Sequence, residues 1–334
     1  SGRLAGFEST LILASSRPDA VERLDATALS ARDLANSINA VADGIQSART
    51  DADRSIAAQV DRLNQALQGV QKLNASITAS IAQQNDTSGL LDQRRVLVDE
   101  ISEIVPVRVL DRDNGTIALY STGGGILLDG RAAEVGFEPS NVVNPFMSID
   151  DGSLSGLTIN GFPVNTSSTN GRLHGGTLGA QFEIRDELAP DAQTQIDALA
   201  RDMIERFESS AVDPTLTPGQ AGLFTDQGAA LDPTLELGLA NRISLNALVD
   251  PTVGGETWRL RDGLGAVTPG NSGDATLLNA LSDALTQTRV PLSGSYGAAP
   301  LSAVGVTTGL SSQIGSYRLR EDQQLSFASA QYYE

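Results

Sequence analysis

The chain has 334 residues, is 40% hydrophobic but only 4% aromatic, and carries a net charge of −18 from 41 acids against 23 bases. So large a negative surplus is repelled by phosphate backbones and anionic membranes, which argues against nucleic acid and membrane surfaces as partners. The absence of cysteine removes disulfides, thiol nucleophiles and thiolate metal sites. No apolar run of ~18 residues is long enough to span a membrane, and no basic-then-apolar leader opens the chain.

In chain order, the residues fall into three zones: 1–105 as the N-terminal long-helix part of a rod, 106–180 as a β-rich inset, and 181–334 as a C-terminal part whose helices return to the rod. Ser15-Ser16-Arg17-Pro18-Asp19 is a helix start, because serine caps free amides and proline is tolerated in the first turn. Behind it Leu24, Ala28, Ala31, Ala35, Ile38, Ala42 and Ile45 recur at spacings of three and four. Ile56, Val60, Leu63, Leu67, Val70, Asn74, Ile77 and Ile81 resume the pattern, the heptad seam of packed helices or a coiled coil. No proline interrupts residues 19–84, so the spacing predicts one helix there, or two coaxial helices broken near Gly44. Unbroken, it would be about 100 Å long. Gly44 and Gly69 are weak points, each costing roughly 1 kcal/mol against alanine. Asn74, a polar residue in the seam, either sets register between packed helices or faces a neighbour's gap.

Asn85 to Gly89 breaks the helix, and a second one carrying Leu90, Leu91, Leu97, Val98, Ile101 and Ile104 ends at Pro106. Strands Val107–Leu110 and Thr116–Tyr120 flank the turn signal Asp111-Arg112-Asp113-Asn114-Gly115. Gly123-Gly124-Gly125 leads into Ile126-Leu127-Leu128, and Asp151-Gly152 and Asn160-Gly161 mark later turns. A helix returns after Pro190 with Ile196, Leu199, Met203 and Phe207 on one face. Residues 213–251 read as loops with short elements, 274–285 as an amphipathic helix, and 301–332 as a second long helix.

Little in this sequence carries chemistry. His174, the single histidine, lies in a turn context and has no adjacent nucleophile and acid. The Asp111 turn has the look of an acidic calcium loop, but its twelfth position is Thr122 rather than glutamate. Gly123-Gly124-Gly125 lacks the lysine and helix of a phosphate loop. Asp186, Glu187 and the other acid pairs read as solvated helical faces. No catalytic, cofactor-binding or metal-ligating residue is nominated, and no cofactor is expected.

Other blocks point to a family. Val60-Asp61-Arg62-Leu63-Asn64, then Leu67, Val70, Leu73-Asn74 and Ile77, resembles the long helix of the flagellar hook-associated protein 1 family, the hook–filament junction proteins. Leu90-Leu91-Asp92-Gln93-Arg94 is similar to that family's LLDQR block, although Arg95 stands where the family often has an acid. Asn114-Gly115, Gly124-Gly125 to Leu128, Gly175 to Gly179 and Phe182 to Glu187 resemble further family blocks in the same order. The resemblance implies a mechanical adaptor without catalysis or cofactor. It further implies export through the flagellar type III route without a cleaved signal, and an extracellular place on the bacterial flagellum. Hook protein, other hook-associated proteins and, at full length, further copies of itself would be its partners. The family's outer terminal helices have no counterpart here and the chain starts at Ser1, so it is expected to be a fragment, monomeric or weakly associating.

The expected fold class is therefore α+β: an elongated helical bundle built from both chain ends, with an inserted β-rich subdomain. Residues 301–332 are expected to pack on the Ile56–Val70 seam. Two other functions fit parts of the pattern. A secreted adhesin or stalk module would use the β-inset as a binding head, and a peptidoglycan-cleaving enzyme of the flagellar rod would need an acid pair in a cleft.

Overall fold

The structure, a computed structural model, describes residues 2–167, 170–312 and 315. It is an α+β protein that divides into two compact units, one of residues 1–44 and 191–334, the other of residues 45–190. The three zones of the sequence follow secondary structure, whereas the units follow packing, and the two ways of dividing the chain cut it at different places.

The first unit combines an N-terminal and a C-terminal segment of the chain. Helix α1 (Gly2–Ser16) and the start of α2 (Val21–Ala82) belong to it, with α5 (Ala189–Phe207) from residue 191 onward. They are joined by the strand pair β8 (Phe224–Asp226) and β9 (Ile243–Leu245), by the short α6 (Arg259–Asp262) and by α7 (Thr276–Thr286), which packs along α1. A trio of buried aromatic rings forms its centre, Phe7, Phe207 and Phe224, with centroids 5.4 to 6.1 Å apart. Elsewhere its buried residues are small or aliphatic, among them Ala28, Ala31, Ala35 and Ala42 of α2 and Ile196, Leu199 and Met203 of α5. Few aromatics are needed because alanine faces let helices approach closely.

Arg206 organises the polar part of this unit. Its guanidinium pairs with Asp202 (2.7 Å) and donates to the carbonyls of Ala284, Gln287 and Leu301. A cation there satisfies carbonyls that the end of α7 leaves open. Residues 303–312 are helical, with Ala303 and Val306 buried in this unit. The long C-terminal helix foreseen over 301–332 is described only that far; Ile314, Tyr317, Leu325 and Ala328 lie outside the described residues.

The second unit starts within α2, which has no break at Gly44. The helix ends in a turn where Gln84 takes φ +57°, and Asp86 accepts from the Ser88 backbone N–H to start α3 (Ser88–Ile104). Val105, forced extended by Pro106, passes the chain into β1 (Val107–Asp111). A four-stranded antiparallel sheet follows in the order β1-β2-β3-β4, with β2 Ile117–Ser121, β3 Ile126–Asp129 and β4 Arg131–Ala132. The β1–β2 turn places Asn114 and Gly115 at φ +58° and +74°, as an Asn-Gly hairpin signal requires. A three-stranded antiparallel sheet comprises β5 (Val135–Gly136), β6 (Leu157–Ile159) and β7 (Phe162–Val164). Helix α4 (Gly176–Glu183) then runs through a π turn (Ile184–Leu188) into α5.

Residues 301–312, the described part of the helix expected over 301–332, are not among the residues that cover the Ile56–Val70 seam. That seam is covered inside its own unit by Ile101, Ile104 and Val105 of the α3 end, Ile117 and Leu119 of β2, Leu127 and Leu128 of β3, and Leu178 and Phe182 of α4. The physical reason is that a sheet with one apolar face needs cover as much as a helix does. The β-zone lies on α2 and is not a free-standing side domain. Gly69 is likewise more than a weak point. A Cβ there would lie 2.7 Å from Leu97 Cδ1, so glycine lets α3 approach α2 closely.

Candidate functional site

The residues singled out in the sequence lie on one side of α2 and on α3. Ile56, Val60, Leu63, Leu67, Val70, Asn74 and Ile77 are all buried. Six are apolar and occupy the stripe that the four-three spacing defines. Ile77 lies beneath the β1–β2 turn, where a Cβ on Gly115 would meet Ile77 Cγ2 at 3.1 Å.

Asn74 faces a strand rather than a second helix. Its Nδ2 donates to Ile117 O (2.9 Å), and its Oδ1 accepts from Ile117 N–H (3.3 Å). The side-chain amide thus replaces a neighbouring strand at the start of β2. Oδ1 accepts also from Arg94 Nη1 (2.9 Å), and the same nitrogen donates to Gly115 O at 2.7 Å. Partial burial pulls the Arg94 guanidinium below its usual pKa, with Asp111 acting in the opposite direction. Of the five motif residues, Arg94 alone joins this network. Leu90 is half-buried, while Leu91, Asp92 and Gln93 are exposed.

Two further contacts of this kind were not foreseen. Asn64 Nδ2 donates to Val135 O (2.8 Å) and Asn64 Oδ1 accepts from Val135 N–H (2.9 Å), the same two-way pairing ten residues earlier. Between them Gln71 Oε1 accepts from the Ala132 N–H at 2.7 Å. Asn64, Gln71 and Asn74 adjoin the apolar stripe at helical spacing. An amide beside a seam is the signal that could have revealed them, because such a side chain can satisfy a strand's open backbone groups.

The other missed feature is a buried ionic cluster. Arg185 is fully buried and pairs with Asp53, itself fully buried, at 2.7 Å. It also holds Asp186 (2.9 Å) and donates to Ser155 O (2.9 Å). Its guanidinium lies 4.9 Å from the Phe182 ring and 5.4 Å from that of Phe137. Asp53 accepts in addition from Ser140 N–H (2.7 Å). Arg49, four residues before Asp53, donates to the carbonyls of Arg185, Asn144 and Met147. Desolvation lowers the Arg49 pKa and raises that of Asp186, the latter partly offset by the bond to Arg185. Asp186 therefore does not sit on a solvated helical face: its side chain is 19% exposed and ion-paired. The cluster fixes α2, the loop at 140–147 and the π turn to one another. Every member is paired, so it serves as an anchor, with no group left over for acid–base work.

His174 Nδ1 lies 2.7 Å from Gly171 O, inside its own turn. Among the described residues no group of three or more histidines and carboxylates is placed to hold a metal ion.

Comparison with known proteins sets this architecture in context. Residues 1–222 match the family model for the flagellar hook-associated protein FlgK helical domain. No curated protein matches the chain. Among solved structures, the flagellar hook junction protein FlgK from Burkholderia pseudomallei is similar, with a TM-score of 0.53 at 20% identity. That likeness concerns the fold and covers 67% of this chain and 40% of the Burkholderia chain, so the present sequence spans less than half of that protein's length. The matched residues 1–222 include the seam, Arg94, the three amide clamps and the Arg185 cluster, and the chain belongs to the FlgK family of flagellar hook-associated proteins through this helical domain.

Proposed function

We propose that the chain is a structural element of the bacterial flagellum and acts as an adaptor at the hook–filament junction. The observation that carries this reading is the family match over residues 1–222. In support, the functional residues of the domain are spent on holding secondary structure together. The seam, the amide clamps and the Arg185–Asp53 pair make α2 a stiff backbone for two sheets, as a part that transmits torque needs. Its work is mechanical, with no reaction and no cofactor. Its partners are hook protein, the other hook-associated proteins and further copies of itself, and it reaches them by the flagellar export route. Among the described residues no helix is long and apolar enough to cross a membrane. The adhesin reading gains nothing from the family match.

The test uses the full-length protein in its own cell. A strain lacking the gene should carry hooks but shed its filaments, and immunogold labelling of the complemented strain should mark the base of the filament. Intact filaments in the deletion strain, or label spread over the cell surface, would overturn the proposal.

A further inference from the structure

Residues 140–147 of the second unit are irregular chain, yet α2 fixes them closely. Asp53 accepts from Ser140 N–H (2.7 Å) and Thr50 Oγ1 accepts from Val143 N–H (3.1 Å). Arg49 donates to the carbonyls of Asn144 (2.9 Å) and Met147 (2.8 Å). Within the loop, Asn144 Oδ1 accepts from Phe146 N–H (3.0 Å), and the Val143 side chain is buried. Although so fully tied down, the loop leaves Val142 and Phe146 70% and 62% exposed. Apolar side chains on a rigid loop lose little freedom when a partner covers them, which is what makes an anchor effective.

The surroundings of the anchors set the sign of the partner. Pro145 and Met147, on either side of Phe146, line a cleft of about 350 Å³. The charged residues of its lining are Asp150, Asp186 and Glu187 against the guanidinium of Arg49. Arg49 is spent on the carbonyls of Arg185, Asn144 and Met147, and Asp186 is paired with Arg185. A cation entering the cleft meets carboxylates, whereas an anion is repelled. A second copy, with its charge of −18, is a poor source of such a cation.

We propose that Val142 and Phe146, with the acidic cleft beside them, form a docking site for a different protein, one that offers an apolar hollow to Phe146 and places an arginine or lysine in the cleft. The apolar contact supplies most of the affinity, because buried aromatic anchors dominate interfaces. The cation fixes orientation and speeds encounter. The inference stands on this unit alone, so its failure would leave the adaptor reading untouched.

The probe is a random-peptide phage library, panned against the full chain with the Phe146→Ala chain as competitor in solution. Phe146, Asp150 and Glu187 are exposed, so Phe146→Ala and the double change Asp150→Asn with Glu187→Gln should leave circular dichroism unaltered. Enriched peptides should carry arginine or lysine close to an aromatic or branched aliphatic residue. Made synthetically, they should bind the Phe146→Ala chain about 30-fold more weakly, the loss expected of a hot spot. They should bind the double variant about fivefold more weakly at low salt, and the gap should close as salt screens the charges. If no peptide is enriched over the competitor, or if the enriched peptides lack a base, the proposal fails. Equal affinity for the Phe146→Ala chain would also overturn it. A dimer of the chain that Phe146→Ser abolishes would assign the face to a second copy and refute the partner named here.

Discussion

Removing Asp53 tests the claim that the ionic cluster holds the second unit together. Asp53→Ala leaves Arg185 fully buried with one carboxylate instead of two and strands the Ser140 N–H. Breaking a buried pair from one side costs about 3–5 kcal/mol. Asp186 and the two phenylalanine rings still face the guanidinium, which argues for the low end, about 3 kcal/mol. With a urea m-value of about 2 kcal/mol/M, the midpoint should fall by about 1.5 M. Circular dichroism at 222 nm follows both units, whereas Trp258, the only tryptophan, lies in the other unit and serves as an internal control. The double change Asp53→Leu with Arg185→Met should recover most of the loss, since apolar replacement of a buried pair is often neutral. A midpoint shift below about 0.3 M for Asp53→Ala would show that the pair is dispensable and refute the anchor.

Asn64→Ala should cost about 1–3 kcal/mol, because it orphans the Val135 N–H and C=O, and amide exchange at Val135 should accelerate. Leu63→Asp or Leu67→Asp places an unpaired charge among fully buried neighbours and should cost ~4 kcal/mol in the same urea experiment; a loss under 1 kcal/mol would contradict the seam. Asp129 should titrate below the ordinary carboxylate range, held there first by the Tyr120 hydroxyl and then by Arg112. Its stabilising effect is complete above the ordinary carboxylate pKa and is lost as pH falls through the lowered one. Tyr120→Phe should move its carbon-detected titration back up, and an unmoved curve would contradict the assignment.

What could be read from the sequence follows periodicity and punctuation. The three-four spacing and the absence of proline specify α2, and Pro106 and Asn114-Gly115 specify where α3 and the first hairpin turn end. Those signals are local, and local chemistry suffices for them. The cover of the seam is not local. It depends on β2 turning Ile117 and Leu119, and β3 its Leu127 and Leu128, into the core beside α2, and a strand's pattern does not say which surface it meets. Asn74 was visible as an anomaly in the heptads, but its partner lies 43 residues away on a strand. Arg185 and Asp53, 132 residues apart, each look like ordinary helical surface charges until the fold removes both from water.

The amide clamps have a consequence for how the domain can vary in length. Asn64, Gln71 and Asn74 each meet a separate strand from one rigid helix, so they behave like teeth cut at fixed intervals. One residue inserted between Asn64 and Asn74 would turn everything after it by about 100° and shift it by 1.5 Å. At least one tooth would then miss its strand, and the apolar stripe would swing with it. The exposed turn at residues 150–153 is under no such constraint, since it lies beyond the 140–147 segment that Arg49, Thr50 and Asp53 hold to α2. Insertions and deletions among relatives should therefore collect there and in the turns, and the span from Ile56 to Ile77 should keep its count. A tag or probe placed in this domain belongs in the loops for the same reason.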